Sequence, residues 1–235
     1  MTQTNTVRID YFSDVLCIWA YVAQIRLDEL RSTFNEQIIF KHHFIPVFSH
    51  TERRIAEGWK DKGGFTGFGQ HIHNVGADFP HVEINQALWS QHPPCSSAPA
   101  HQFLKAVQLL EQRNEISSEC LLHCQGRSRF EETAWQLRLA FFRDNRRIDT
   151  RQELLAIAEE CELPLSAIEK LLDNGQAMAA LMRDIELRDE YRIEGSPTYV
   201  LNEGRQKLYG NLGYRILEAN VREVLENADN QASWC

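Results

Sequence analysis

The feature that most constrains this chain is the placement of its strand-forming segments, which lie only near the two ends. Residues 7–12, Val-Arg-Ile-Asp-Tyr-Phe, alternate in polarity and are rich in β-formers, which predicts a strand. Apolar residues then fall at 16, 19, 20, 23, 27, 30 and 34, a helical spacing that predicts a helix over 16–34. Residues 37–45 read as a second strand that stops at Pro46. Strand character returns only at 197–201 and 207–209, joined by the turn signal Asn202-Glu-Gly204, so the pair reads as a hairpin. A terminal helix follows over 217–225. A leading β-α-β unit and a trailing β-hairpin-helix unit can share one four-stranded sheet. Its first two strands would be parallel, joined by a right-handed crossover.

The chain between these ends must be an insertion. Six glycines between Gly58 and Gly76, with Pro93-Pro94 and Pro99 beyond, predict loops and short helices over 49–96. From Ala98 to Tyr191 the pattern is helical, with helices near 99–113, 117–124, 129–145, 150–161, 164–173 and 176–191. The domain reading is therefore residues 1–48 with 185–235 as one discontinuous unit and 49–184 as an inserted helical unit. Hydrophobic residues are 43% of the chain, enough for a packed core. No apolar run approaches the ~18 residues of a membrane span, and the first residues carry no secretory pattern, so the expectation is a cytoplasmic protein away from membranes. The net charge of −8, with Lys and Arg scattered, argues against nucleic acid as a partner. Arg143, Arg146 and Arg147 form a local basic cluster that reads as a solvated helix face.

Six cysteines are present, and in a cytoplasmic chain they read as thiols. Cys17 stands apart, because it falls in the first turn of the first predicted helix. Unpaired amides there favour negative charge, so its pKa is expected below the free value of ~8.5. Asp14 just before it reads as a cap for that helix, with repulsion of a Cys17 thiolate as the other role weighed. Trp19 reads equally as a lid beside the thiol or as core, and Tyr21 as packing.

Asp14-Val-Leu-Cys17-Ile-Trp19-Ala20-Tyr21 resembles the Asp-x-x-Cys-Pro-Trp-Cys-Tyr segment of cytosolic DsbA-like oxidoreductases of the FrnE type. Gly195-Ser196-Pro197-Thr198-Tyr199-Val200 resembles that family's Gly-x-Pro-Thr/Phe-Phe-Val segment. The resemblance implies an α/β, thioredoxin-like fold with a helical insertion, and a cis Pro197 facing Cys17. Two positions depart from it, Ile18 for proline and Ala20 for the second cysteine. A Cys-x-x-Cys pair resolves its own mixed disulfide; Ala20 cannot. The implied enzyme is a thiol-disulfide oxidoreductase or isomerase with one active cysteine, reacting with thiol or disulfide substrates.

Kappa-class glutathione transferases and 2-hydroxychromene-2-carboxylate isomerases share this architecture and carry Ser at the Cys17 position. By that resemblance Ser196 offers its backbone to glutathione, and Asn211 sits where the γ-glutamyl group is held. Three functions therefore stay open: the single-thiol oxidoreductase or isomerase, a glutathione-dependent transferase or isomerase for a small hydrophobic substrate, and a non-enzymatic binding module. The site reading is Cys17 as catalytic residue with Trp19, Ser196, Pro197 and Asn211 as substrate or glutathione contacts. No metal site and no required cofactor are expected, with glutathione the candidate ligand and a homodimer left open. Ser97 and His101 read as a helix cap followed by a surface histidine, with the substrate cleft as the other role weighed. Cys120, His123 and Cys124, like His71, His73, His81 and His92, carry too few convergent ligands for a metal site.

Overall fold

The computed structural model describes residues 6–119 and 124–227. Strand β1 (Val7–Ser13) leads into two short helices, α1 (Ile18–Val22) and α2 (Gln24–Phe34), and then β2 (Ile38–Phe44). The helix expected over 16–34 is thus broken at Ala23 and begins after Cys17. Strands β3 (Thr198–Leu201) and β4 (Gln206–Tyr209) follow the insertion, and α9 (Tyr214–Glu226) closes the described chain. The four strands form one mixed sheet in the order β2-β1-β3-β4. β1 runs parallel to β2, with Val7 opposite Ile38, and antiparallel to β3, with Tyr11 opposite Tyr199.

Alternation along β1 sorts its side chains between two layers. Val7, Ile9 and Tyr11 face Leu27, Leu30 and Phe34 of α2 and Leu217, Val221 and Val224 of α9. Phe12 faces the other way, with Ile45, Ile193 and Val200. Each such fully buried side chain contributes about 1.5–3 kcal/mol. The terminal helix keeps the Leu217, Val221, Val224 face expected from its spacing.

The insertion carries the largest core cluster. Helix α4 (Ala98–Gln112) lies against α5 (Arg129–Phe142), α7 (Leu165–Asp173) and α8 (Gln176–Glu190), with α6 (Arg151–Glu160) alongside. Ser128 and Glu131 form a capping box that starts α5. A buried polar chain ties this block to the sheet. His43 of β2 bridges Asp10 of β1 at 2.7 Å and Asp184 of α8 at 2.9 Å, and Lys105 of α4 reaches Asp184 at 3.0 Å.

Two elements differ from expectation. Within 49–96, where loops and short helices were expected, Gly64–Gly76 form the thirteen-residue helix α3, longer than the glycines suggest. Its glycines serve contact, not looseness: a Cβ on Gly67 would lie 1.6 Å from the Lys62 carbonyl oxygen, and one on Gly69 2.5 Å from that of Leu88. Propensity reads glycine as a breaker, but here close backbone approach demands it. The helix expected over 117–124 is absent from Ser117–Glu119, while 120–123 lie outside the described residues. No helix among the described residues is long and apolar enough to cross a membrane.

Candidate active site

The site forms where the C-terminal end of β1 meets the turn before β3. Asp14 is fully buried, and it fixes the intervening loop from several sides. Its Oδ1 accepts from the Leu16 amide at 2.8 Å; its Oδ2 accepts from the Phe48 amide at 2.9 Å and the Ser97 hydroxyl at 2.8 Å. His101 Nε2 stands 3.5 Å from Asp14 and accepts from the Val15 amide at 3.1 Å. Burial alone would raise the Asp14 pKa; His101 and the Phe48 and Leu16 amides outweigh it and hold the carboxyl below its usual range. Ser97 holds the N-cap position of α4 as expected, but its hydroxyl serves Asp14 rather than the helix, and His101 is not a surface histidine. Both are fully buried and belong to the seat of Asp14, across the join between sheet and insertion.

Cys17 directly precedes α1, with an extended backbone at φ −81° and ψ 116°. It is 6% exposed and is one of the residues that line a cleft. The Sγ–H donates to the Ser196 carbonyl at 3.2 Å, and the Asp14 amide donates to the Ser196 hydroxyl at 2.9 Å. The Ser196–Pro197 bond is cis, as the family resemblance implied. Two segments far apart in sequence are thus joined at one point.

The expected depression of the Cys17 pKa is not what this geometry gives. Burial pushes the thiol up; Ser196 and the amides of Ala20 and Trp19 oppose the rise, while Asp14 adds to it. Sequence spacing placed Cys17 within a long helix, whereas α1 has only five residues and starts beyond it, so aligned amides give less than burial takes away.

The cleft has a volume of about 450 Å³ and is lined by Cys17, Ile18, Trp19 and Ser196 together with groups the sequence did not single out for this role. These include Phe48, Arg54, Trp59, Phe68 and His71 from the segment after β2, and Glu194 and Tyr209 from the sheet side. Glu194 was within reach of sequence reasoning, since it directly precedes the Gly195-Ser196-Pro197 turn, while Tyr209 arrives through the pairing of β4 with β3, opposite Thr198. Arg54 and Trp59 were hidden in a stretch read only as loops and short helices. Trp19 lines the cleft and meets Phe79 edge to face at 6.4 Å. Asn211 is not among the lining residues; its Oδ1 accepts from Arg26 at 2.6 Å on the surface. Tyr21 stacks between Phe142 at 4.5 Å and Trp135 at 5.2 Å, a packing role.

The remaining candidates lie elsewhere. Arg143, Arg146 and Arg147 are paired with Asp144, Glu153 and Asp149. His81 bonds the Val22 carbonyl at 3.0 Å. Among the described residues no group of three or more His, Cys, Asp or Glu side chains converges as metal ligands. Cys120, His123 and Cys235 lie outside the described residues.

A parallel β-α-β unit, an antiparallel hairpin and a thiol facing a cis proline across a helical insertion define a thioredoxin-fold protein of the DsbA kind. Comparison with known proteins agrees: a sequence model described as the DSBA-like thioredoxin domain matches residues 98–222, and the chain belongs to this family. A curated relative, the ClpXP adapter protein SpxH of Bacillus licheniformis, is 26% identical over 187 residues. That match takes in 76% of this chain but 52% of the relative, so the chain spans about half the relative's length. Among solved structures, a protein described as a disulfide isomerase from Nitrosomonas europaea superposes with a TM-score of 0.73 at 14% identity, covering 94% of this chain and 98% of the other. The cytosolic disulfide reductase DsbM of Pseudomonas aeruginosa, solved also with GSH, superposes with a TM-score of 0.63 at 18% identity over 92% of this chain and 98% of its own.

Proposed function

We propose that this protein is a thiol-dependent oxidoreductase or isomerase in which Cys17 is the sole cleft nucleophile. The observation that carries the reading is Cys17 in the lining of the cleft, its sulfur 3.2 Å from the Ser196 carbonyl at the turn into β3. In the reaction, Cys17 loses its proton to water and attacks one sulfur of a substrate disulfide. The substrate S–S bond breaks, its other sulfur leaves as thiolate, and a mixed disulfide remains. Ala20 offers no second thiol, so an external thiol must release the product and restore Cys17. Glutathione is the proposed thiol, by analogy with DsbM, and the cytoplasm the proposed compartment. Trp19, Ser196 and Pro197 border the bound substrate, and no metal or resident cofactor takes part. In the same reading, 1–48 with 185–235 carries the thiol and 49–184 shapes the cleft.

Intact mass spectrometry after incubation with oxidised glutathione tests this. A glutathionyl adduct present in the wild type and absent at that site in Cys17→Ser supports the reading; equal labelling of the two proteins refutes it. The similarity to SpxH, with the burial of Cys17, favours a second reading as a binding module that engages a protein partner without thiol chemistry. Under it, Cys17→Ser leaves partner binding intact and no thiol exchange is measurable in either protein.

A further inference from the structure

The cleft above Cys17 is aromatic on one wall and carries a cation with no counterion. Trp59 meets Phe68 edge to face at 5.1 Å, and Phe68 lies 6.1 Å from Phe48. The Arg54 guanidinium lies 4.9 Å above the Phe48 ring. Arg143, Arg151 and Arg183 on the surface each hold a carboxylate, whereas the exposed Arg53, Arg192 and Arg215 form no ion pair among the described residues; what sets Arg54 apart is its place on the cleft wall. Among the described residues Arg54 holds none, although it borders the cleft that ends at the thiol.

The backbone is shaped to put it there. Glu52–Glu57 form a π-helical turn, a geometry that recurs at functional sites. The Gly58 amide closes it onto the Arg53 carbonyl at 3.2 Å. A Cβ on Gly58 would lie 2.5 Å from the Arg54 carbonyl oxygen, so the turn depends on glycine at that position. Glu194, the other charged side chain on the cleft wall, makes no ion pair with Arg54 and gives the cleft a polarity.

We propose that the cleft selects an aromatic thiol or disulfide that bears a carboxylate. The ring lies along Phe48, Trp59 and Trp19, the carboxylate meets Arg54, and the sulfur reaches Cys17. This rests on the reading of Cys17 as nucleophile for its chemistry, but not for its binding. A guanidinium is suited to the task because its planar fork matches a carboxylate and its face stacks on a ring.

The test compares two aromatic disulfides in single-turnover kinetics, subtracting Cys17→Ser as background: the disulfide of thionitrobenzoate, which carries carboxylates, and the neutral disulfide of mercaptopyridine. Arg54→Gln is expected to slow the first about tenfold, the scale of one charge-assisted hydrogen-bonded contact, and to leave the second within about twofold. Lys170→Gln, an equal charge change on α7 outside the cleft, is expected to change neither. Equal slowing of both disulfides by Arg54→Gln, or of neither, overturns the proposal. Calorimetry with unreactive methylthiobenzoate separates the two claims. If neither disulfide reacts through Cys17 but the thioether binds the wild type and not Arg54→Gln, the carboxylate cleft stands and the nucleophile fails. If the thioether binds both proteins equally, or neither, the cleft proposal fails.

Discussion

Asp14 and Cys17 are three residues apart and live in opposite surroundings. Asp14 is enclosed by the Leu16 and Phe48 amides, the Ser97 hydroxyl and His101, and stays charged although buried. Cys17 has one carbonyl acceptor, and burial keeps it protonated. The difference separates frame from chemistry. Several buried polar contacts fix the loop that carries the thiol, while the thiol itself is sparsely held beside the cleft. The frame joins four parts of the chain, since Asp14, Phe48, Ser97 and Ser196 all meet around that loop.

The sharpest way to break this comparison is to remove the frame. Asp14→Ala strands two buried amides and a buried hydroxyl, and is expected to cost about 3–5 kcal/mol in urea unfolding, with Asp14→Asn costing less. A loss under about 1 kcal/mol for Asp14→Ala would contradict the enclosed-frame account. A half-buried carboxylate offers a parallel. Against its burial, Glu131 is pulled down to about 2 by His42, Arg31 and the Ser128 amide. Its folded pKa lies below its unfolded value, so its contribution is present above pH ~4.5 and is lost as pH falls toward 2. That contribution is on the order of 3 kcal/mol, and Glu131→Gln should flatten this acid limb of stability measured by denaturant at each pH. An unchanged limb would remove Glu131 from the account.

Arg138 sharpens the comparison from the other side. It is 3% exposed, its Nη2 donates to the Ser13 hydroxyl at 3.1 Å, and its Nε has no partner among the described residues. A buried cation so poorly compensated adds little, so Arg138→Met is expected to fall within about 1 kcal/mol of the wild type or to stabilise it. A loss above about 3 kcal/mol would show that Arg138 belongs to the frame. The smallest effect is expected at Asn211, whose side chain meets Arg26 on the surface. Asn211→Ala should change stability by under about 0.5 kcal/mol and leave Cys17 alkylation unchanged. Weaker glutathione binding in this variant would restore Asn211 to the site.

Much of the frame was legible because it rests on local signals. The alternation of Val7 to Phe12, the hairpin turn at Asn202-Glu-Gly204 and the apolar face of α9 each imposed one element, and the order of elements imposed the sheet. The pairing of Cys17 with the Ser196-Pro197 turn came from two matching motifs read together. What stayed hidden depends on contacts between distant segments. Helix α3 was obscured because its glycines answer to Lys62 and Leu88, not to local propensity. His101 looked like a surface group, and Ser97 like a simple helix cap, because their partner, Asp14, lies far back in the sequence. The Cys17 pKa was misjudged because burial is a property of the assembled cleft. Arg54 went unnoticed because only the π-helical turn carries it to the thiol's side.

The central claim is that Cys17 is an accessible cleft thiol held protonated by burial. The rate of iodoacetamide alkylation against pH, taken as the difference between wild type and Cys17→Ser, tests it most directly. The account predicts a Cys17-dependent rate that keeps climbing with pH beyond the ordinary thiol value of ~8.5. A plateau below that value, or no Cys17-dependent alkylation at any pH in the folded protein, would contradict it.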